Sequence, residues 1–225
     1  MQIIRLSYRY ITARSRSEKI IRLFDSLPCD FIAFYNGATI YADNQLIDRN
    51  ELPYQQARLI LQRLSRDYPD MVIDIHQEPQ TFSHTCDEVC HSDLDNRRTC
   101  NLKYLAQHDI QRIRLRSHNL MSVPLDKYMT HESTFYRTVA GDAIIVHKRA
   151  NKAHAAKRAS EYFGISTTQM IAFGDDLGDI DMIKFVGTGV AMGNAVPSLK
   201  KIADYVTEAN DNDGIACWIN KYLIN

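Results

Sequence analysis

The chain is built around one acidic stretch, Ile171-Ala172-Phe173-Gly174-Asp175-Asp176-Leu177-Gly178-Asp179. Its apolar start predicts a strand buried on both faces, and Gly174 lets the backbone turn sharply after it. The acids would then lie at the carboxyl end of the strand and in the next helical turn, where open α/β sheets bind ligands. Clustered carboxylates repel one another unless a cation relieves them, and Mg²⁺ suits oxygen ligands. Alternatively, these acids only cap a helix and complement its dipole.

Composition limits the class of protein. The 225 residues suffice for one large domain or for a core with an inserted second domain. Lysine plus arginine and aspartate plus glutamate number 27 each, which favours neither a nucleic-acid partner nor a membrane surface. Five cysteines without a paired framework or a signal peptide indicate a reducing, cytoplasmic location. No apolar run reaches the roughly 20 residues of a membrane span.

The amino-terminal region predicts a strand, a helix and a second strand. The first strand is Tyr8–Ile11, the helix ends at Pro28, and the second strand, Phe31–Tyr35, ends at the turn Asn36-Gly37-Ala38. Two strands joined by a helix form a parallel pair with a right-handed crossover. Thr12 follows the first strand, where its hydroxyl would either bind a phosphoryl oxygen or cap a helix entry.

Between Thr39 and His147, strands and helices no longer alternate strictly, which predicts an inserted α+β module with an antiparallel sheet. Its elements are a hairpin over 40–47, an amphipathic helix over 53–66, strands over 71–75, 110–116, 135–139 and 143–146, and short helices over 102–107 and 125–129.

Two groups of residues in this module are candidate ligand sites. The first contains five potential metal ligands without the two tight pairs of a zinc site, so a solvated loop is the alternative: His84, Cys86, Cys90, His91 and Cys100. The second is a set of arginines that alternate along one strand and share a face, which meets either an anionic ligand or solvent: Arg112, Arg114 and Arg116.

The alternating pattern resumes after His147. A helix should begin after Asn151 and end at Gly164. Lys152 stands at its beginning and opposes the helix dipole, which favours a functional role over a structural one. Later segments are a strand over 189–192, a helix opened by Pro197, a strand over 205–207 and a last helix with four predicted core residues: Ile215, Trp218, Ile219 and Leu223.

Six short motifs follow one another along the chain: Thr12-Ala13-Arg14, Asn36-Gly37-Ala38, Lys152, Gly174-Asp175-Asp176-Leu177-Gly178-Asp179, Ala191-Met192-Gly193-Asn194-Ala195 and Asp213-Gly214-Ile215-Ala216. Their order and spacing resemble those of haloacid dehalogenase (HAD) superfamily phosphatases of the Cof-type subfamily. The resemblance implies an α/β fold with a Rossmann-like parallel-sheet core, residues 1–37 and 147–225, and an inserted α+β cap, residues 38–146.

The resemblance also implies roles for individual residues. Thr12 and Lys152 would hold the transferring phosphoryl group, with Arg14 and Asn194 as further phosphate-binding residues. Asp175 would bind Mg²⁺ directly, and Asp179 would support both the metal and the lysine, so the implied magnesium site is Asp175, Asp176 and Asp179. The implied reaction is hydrolysis of small phosphorylated metabolites, such as sugar phosphates, through an aspartyl-phosphate.

Two departures from the family pattern matter. Gly178 stands where the family usually has an asparagine that touches phosphate. The family's first motif, an apolar strand ending in Asp-x-Asp, has no match, since Asp93-Leu94-Asp95 follows no apolar strand. We therefore expect an incomplete chain, or else a catalytically inactive protein that binds phosphate and Mg²⁺. A missing central strand would leave sheet edges that a second copy could pair with, which suggests a homo-oligomer.

Overall fold

The structure is a computed structural model that describes residues 7–16, 20–22, 29–78, 80–84, 97–99, 107–138 and 140–224. Its strands are β1 (Tyr10–Ile11), β2 (Phe31–Phe34), β3 (Thr39–Ala42), β4 (Gln45–Arg49), β5 (Val72–Gln77), β6 (Gln80–His84), β7 (Arg97–Thr99), β8 (Arg112–Arg116), β9 (Ser133–Arg137), β10 (Ala143–His147), β11 (Ile171–Gly174), β12 (Thr188–Ala191) and β13 (Tyr205–Val206). Its helices are α1 (Tyr54–Asp67), α2 (Lys152–Phe163), α3 (Ile180–Phe185), α4 (Pro197–Lys200) and α5 (Gly214–Ile219).

The first sheet has the strand order β1-β2-β3-β4. β1 and β2 are parallel, with Ile11 opposite Ala33, which confirms the predicted parallel pair. The hairpin of β3 and β4 continues this sheet through antiparallel pairing of β3 with β2. The hairpin therefore pairs with the amino-terminal strands and not with the six-stranded sheet that follows it. The division of the chain at residue 38 stays a prediction.

The second sheet has the order β7-β6-β5-β8-β10-β9 and is antiparallel except for β6 with β7. This confirms the predicted α+β module. Helix α1 covers one face of the sheet, because its apolar side, at helical spacing, packs with the inward residues of β5, β8 and β10. The opposite face of β10, which carries Ile144 and Val146, packs against the turn after β2 through Tyr35 and Ala38.

The third sheet, β11-β12-β13, is wholly parallel. The prediction that β11 is buried on both faces is wrong, because Ala172 is buried while Ile171 and Phe173 are only half-buried. Phe173 meets the short helix α5 through an edge-on contact with Trp218, at 5.6 Å between ring centroids. Within the described ranges, no strand pairs with the free edges of β1 and β11.

The remaining sequence predictions have different outcomes. Trp218 is buried, but Ile215 is 45% exposed because it lines an open groove with Tyr8 and Ile219. The segment 125–129 forms a 3₁₀ turn, Leu125–Tyr128, which begins directly after Pro124. The candidate helix over 102–107 lies almost entirely outside the described residues, as do the side chains of the metal cluster: His84, Cys86, Cys90, His91 and Cys100. Among the described helices, none has the length and apolar character to cross a membrane.

Candidate functional site

Asp179 is the buried centre of the candidate site, with an exposed fraction of 2%. One oxygen, Oδ2, accepts hydrogen bonds from the backbone N–H groups of Asp175 and Asp176 at 3.1 and 3.0 Å. The carboxylate lies against Gly174, where an added Cβ would approach the Cβ of Asp179 to 2.6 Å. Glycine is therefore required here for close packing, and Asp179 fixes the turn that follows β11.

Lys152 neutralises this buried carboxylate. Its Nζ lies 2.5 Å from Asp179 Oδ1, and the exposed fractions of the two side chains are 15% and 3%. Lys152 is the first residue of α2, which begins because Asn151 Oδ1 accepts the backbone N–H of His154 at 2.8 Å. The capped helix start thus holds the ammonium group against the acidic turn, despite the unfavourable dipole.

The side chain of Asp175 is exposed and has fewer hydrogen-bond partners than that of Asp179. Its Oδ2 accepts one hydrogen bond, from Asn194 Nδ2 at 3.2 Å, and Asn194 Oδ1 in turn accepts the N–H of Asn210 at 3.1 Å. Asp176 also points to solvent, but its Oδ1 accepts the N–H of Leu177 at 2.7 Å and caps the turn Leu177–Asp179. The capping alternative thus describes Asp176 and Asp179, which form a reciprocal capping box, whereas Asp175 presents a carboxylate that is open to a ligand.

Thr12 reaches the same region through the turn after β2. Its carbonyl accepts the N–H of Asn36 at 2.8 Å, and its Oγ1 accepts the N–H of Arg14 at 3.1 Å. Gly37, with φ of +101°, lies so close to α2 that a Cβ would be 3.0 Å from the carbonyl oxygen of Asn151. Thr12 is therefore joined, through Asn36, to the turn that packs on the start of α2, where Lys152 lies. The side chain of Arg14 is exposed.

The six-stranded sheet supplies two residues to this region that local patterns did not assign to it. Tyr136 on β9 accepts a hydrogen bond from Asn36 Nδ2 at 2.7 Å. Arg112 on β8 donates through Nη1 to the carbonyl of Ala13 at 2.7 Å. Burial raises the pKa of Tyr136, so its hydroxyl stays protonated at neutral pH. The alternation of arginines on β8 was a sequence signal for Arg112, whereas nothing in the local sequence distinguished Tyr136.

Comparisons with known proteins agree with this architecture. A family model described as haloacid dehalogenase-like hydrolase matches residues 11–219. The chain is 28% identical over 220 residues to "Putative phosphatase YkrA" of Bacillus subtilis strain 168, covering 96% of this chain and 84% of that protein. It is 40% identical over 79 residues to 5-amino-6-(5-phospho-D-ribitylamino)uracil phosphatase YitU of the same organism, covering 35% of this chain and 29% of that protein.

The fold is also that of solved structures. The HAD subclass IIB sugar phosphatase BT4131 superposes with a TM-score of 0.81 at 19% identity, covering 98% of this chain and 86% of that one. The chain therefore has the predicted α/β fold, a HAD-type core with parallel sheets and an additional α+β module. Because the family model spans nearly all of its residues, the chain belongs to the haloacid dehalogenase-like hydrolase family.

Proposed function

We propose that the protein is a magnesium-dependent phosphomonoester hydrolase acting on small phosphorylated metabolites. The observation that carries the proposal is the network in which Asp179 is held by Lys152 and by two backbone N–H groups, while the neighbouring carboxylate of Asp175 stays open to solvent. Such an arrangement pre-organises one cation ligand beside one ammonium group, the pairing that a phosphate ester with a divalent ion requires.

The residues fit Mg²⁺ through Asp175. Within the described part of the chain, no three His, Cys, Asp or Glu side chains gather into a metal-binding group. Mg²⁺ does not need such a cage, because it usually keeps several waters and binds one or two carboxylates together with substrate phosphate. Both oxygens of Asp179 already have partners, so we assign Asp175 as the direct ligand and Asp179 as the residue that orients Lys152 and the turn. A bound Mg²⁺ would polarise a phosphoryl oxygen.

Four residues would hold the phosphoryl group. Lys152 supplies charge, Thr12 supplies a hydroxyl, and Arg14 and Asn194 supply further donors from the edges of the group. A hydroxyl hydrogen can rotate toward a ligand, so Thr12 can donate to a phosphoryl oxygen while its Oγ1 accepts from Arg14. Residues 38–146 would form the cap that excludes water from the reaction.

The leaving group is a small organic molecule in this proposal. YkrA and YitU are both named as phosphatases, and YitU as one whose substrate carries a phosphorylated ribityl chain. A sugar phosphate or a similar polyol phosphate is therefore the substrate class that we infer.

A second candidate function is binding of phosphate and Mg²⁺ without turnover. It is favoured by one sequence observation: the family's reaction begins with attack by an aspartate of the first motif, and none of the described strands ends directly in Asp-x-Asp. The same site would then act as a sensor or regulatory site.

Hydrolysis of p-nitrophenyl phosphate with and without Mg²⁺ tests the proposal, together with calorimetric titration of inorganic phosphate. Turnover that requires Mg²⁺ and is lost in Asp175→Ala supports the hydrolase. Asp181→Ala is the matched control, because Asp181 is an exposed acid of the same run but lies on α3, where no hydrogen bond or ion pair with another described residue joins its side chain to Lys152 or Asn194. Phosphate binding that requires Mg²⁺ and Asp175, without turnover, selects the second candidate. Absence of both turnover and phosphate binding contradicts both.

A further inference from the structure

The three arginines of β8 differ in their partners. Arg114 forms an ion pair with Asp142, with Nε at 2.7 Å from Oδ2, and Arg116 pairs with Asp74 at 2.7 Å. Among the described residues, no carboxylate lies within ion-pair distance of Arg112. The alternative that this row is simply a solvated face does not describe it, since two members form ion pairs and the third, within the described part of the chain, does not.

The side chain of Arg112 is nevertheless partly buried. Its Nη1 donates to the carbonyl of Ala13 at 2.7 Å, and its guanidinium carbon lies 5.2 Å from the ring centroid of Tyr35. Its Nε is buried, with no hydrogen-bond partner in the described structure. Burial lowers the pKa of Arg112, because removal from water destabilises the charged form of the guanidinium. A guanidinium offers five N–H donors in a planar fork, so its donor capacity far exceeds what these contacts use.

The position of Arg112 identifies what it faces. Arg114 lies opposite Ile144 across the sheet, and Ile144 lies opposite Tyr136, so the arginines share the face that packs toward the turn after β2. Ala13, the partner of Arg112, stands between Thr12 and Arg14 of the candidate phosphate site. The guanidinium therefore borders the site from the side of the cap, where the non-reacting part of a substrate would lie.

We propose that Arg112 binds a second anionic group on the substrate, a carboxylate or a second phosphate, and so selects acidic phosphomonoesters over neutral sugar phosphates. This inference rests on the proposed function, because it places the substrate's phosphoryl group beside Lys152 and Asp175. Arginine suits the role because its planar fork matches the geometry of carboxylate and phosphate oxygens. An anion here would supply the ion-pair contact that carboxylates of the described residues make with Arg114 and Arg116 but not with Arg112.

The test is calorimetric binding in the presence of Mg²⁺, with each of the three esters below supplied as its phosphonate analogue, in which CH2 replaces the bridging oxygen so that hydrolysis cannot occur. Gluconate 6-phosphate and glucitol 6-phosphate differ only at carbon 1, which is a carboxylate in the first and a CH2OH group in the second. In glucitol 1,6-bisphosphate this CH2OH group is phosphorylated. Inorganic phosphate probes the phosphoryl site alone. We expect at least one of the two acidic ligands to bind at least about tenfold more tightly than glucitol 6-phosphate, because a hydrogen bond between charged groups contributes that much affinity. Whether gluconate 6-phosphate or the bisphosphate binds more tightly tells which anion is preferred.

Variants assign the preference to one side chain. The affinity ratio is the affinity for the tighter acidic ligand divided by the affinity for glucitol 6-phosphate. Arg112→Gln should reduce this ratio to near one, and it should change the affinity for inorganic phosphate by no more than about twofold. Arg112→Lys keeps the positive charge but loses the planar guanidinium fork, so its affinity ratio should lie between those of the unmodified protein and Arg112→Gln. The matched control is Arg114→Gln, on the same strand face but already paired with Asp142, and it should keep the full ratio.

Each remaining outcome decides against the inference. An affinity ratio near one in the unmodified protein overturns the inference, and so does a ratio that is unchanged in Arg112→Gln. In both cases, binding of inorganic phosphate leaves the proposed function standing. Failure of inorganic phosphate and of all three esters to bind overturns both. If Arg112→Gln does not fold, as judged by circular dichroism, then Arg112→Lys decides, since an undiminished ratio there excludes fork-shaped recognition.

Discussion

Gly174 and Gly178 lie four residues apart in the same acidic stretch, yet their surroundings differ. An added Cβ at Gly174 would lie 2.6 Å from the Cβ of Asp179, whereas no atom lies within 4 Å of one at Gly178. We predict that Gly174→Ala displaces Asp179 and destabilises the protein by about 1 to 3 kcal/mol. Gly178→Ala should change stability by less than about 0.5 kcal/mol. Urea unfolding of both variants is the measurement, and equal losses would refute the packing argument.

Lys152 is predicted to contribute to stability as well as to binding. Replacing it by methionine leaves the carboxylate of Asp179, 3% exposed, without its counter-charge. Breaking a buried pair in this way costs roughly 3 to 5 kcal/mol. Lys157→Met removes an exposed pair with Glu161 on the same helix and should cost at most about 1 kcal/mol. Chemical denaturation compares the two, and a Lys152→Met protein as stable as Lys157→Met would show that the ion pair is not formed.

At single positions, the sequence named candidate residues but not their contacts. The unfavourable dipole at the start of α2 singled out Lys152, and the structure shows that this lysine pairs with Asp179, while its role toward a ligand stays a prediction. The acidic run could not be divided from sequence, because Asp175, Asp176 and Asp179 are alike until the turn is known. The structure separates them through hydrogen bonds, which occupy both oxygens of Asp179 and cap the turn with Asp176.

Among the elements, the hairpin of β3 and β4 is tied to helix α2 by Asp48. Its Oδ2 lies 2.8 Å from His154 Nε2 and 3.4 Å from Arg158 Nε. Burial acts to raise the pKa of Asp48, but hydrogen bonds from His154 and Asn50 outweigh it and lower the pKa below the ordinary value. A carboxyl with a lowered folded-state pKa stabilises the protein above its unfolded pKa of about 3.9, and the stabilisation is lost as the pH falls through the folded pKa.

We therefore predict that Asp48→Asn costs about 1 kcal/mol of unfolding free energy at pH 6 and clearly less at pH 3. Urea unfolding at the two pH values measures the difference between variant and unmodified protein. Asp70→Asn, at an exposed turn, should differ by less than about 0.5 kcal/mol at either pH. A loss in Asp48→Asn that is equal at pH 6 and pH 3 would contradict the assignment of a lowered pKa.

Elements with a strong local period were predictable, and those defined by distant pairing were not. Helix α1 was expected over 53–66 and is observed as Tyr54–Asp67, because its apolar side repeats at helical spacing. The hairpin of β3 and β4 was expected within the inserted module, but it pairs with β2. Hairpin signals fix the turn between two strands and carry no information about which third strand they join.

For the whole molecule, the motif order indicated the parts that meet, whereas the way in which the six-stranded sheet meets them was not predictable. The bonds from Arg112 to Ala13 and from Asn36 to Tyr136 join residues 99 and 100 positions apart. Local patterns report burial and turns within about one element, so they do not reveal such contacts. The contacts that Arg112 and Tyr136 make with the amino-terminal turns could therefore be named only from the tertiary structure.

We predict that a bound ligand couples the first sheet to the third. Thr12 follows β1 of the first sheet, whereas Asp175 follows β11 of the third, so a bound phosphate with Mg²⁺ would bridge them. At 100 times the dissociation constant, such a ligand stabilises the folded state by about 2.7 kcal/mol. Amide hydrogen exchange should slow in both β2 and β12 and change little in α1, which packs on the far face of the six-stranded sheet. In Asp175→Ala, added Mg²⁺ and phosphate should leave exchange unaltered. Protection confined to one of the two sheets would mean that Thr12 and Asp175 do not share a ligand.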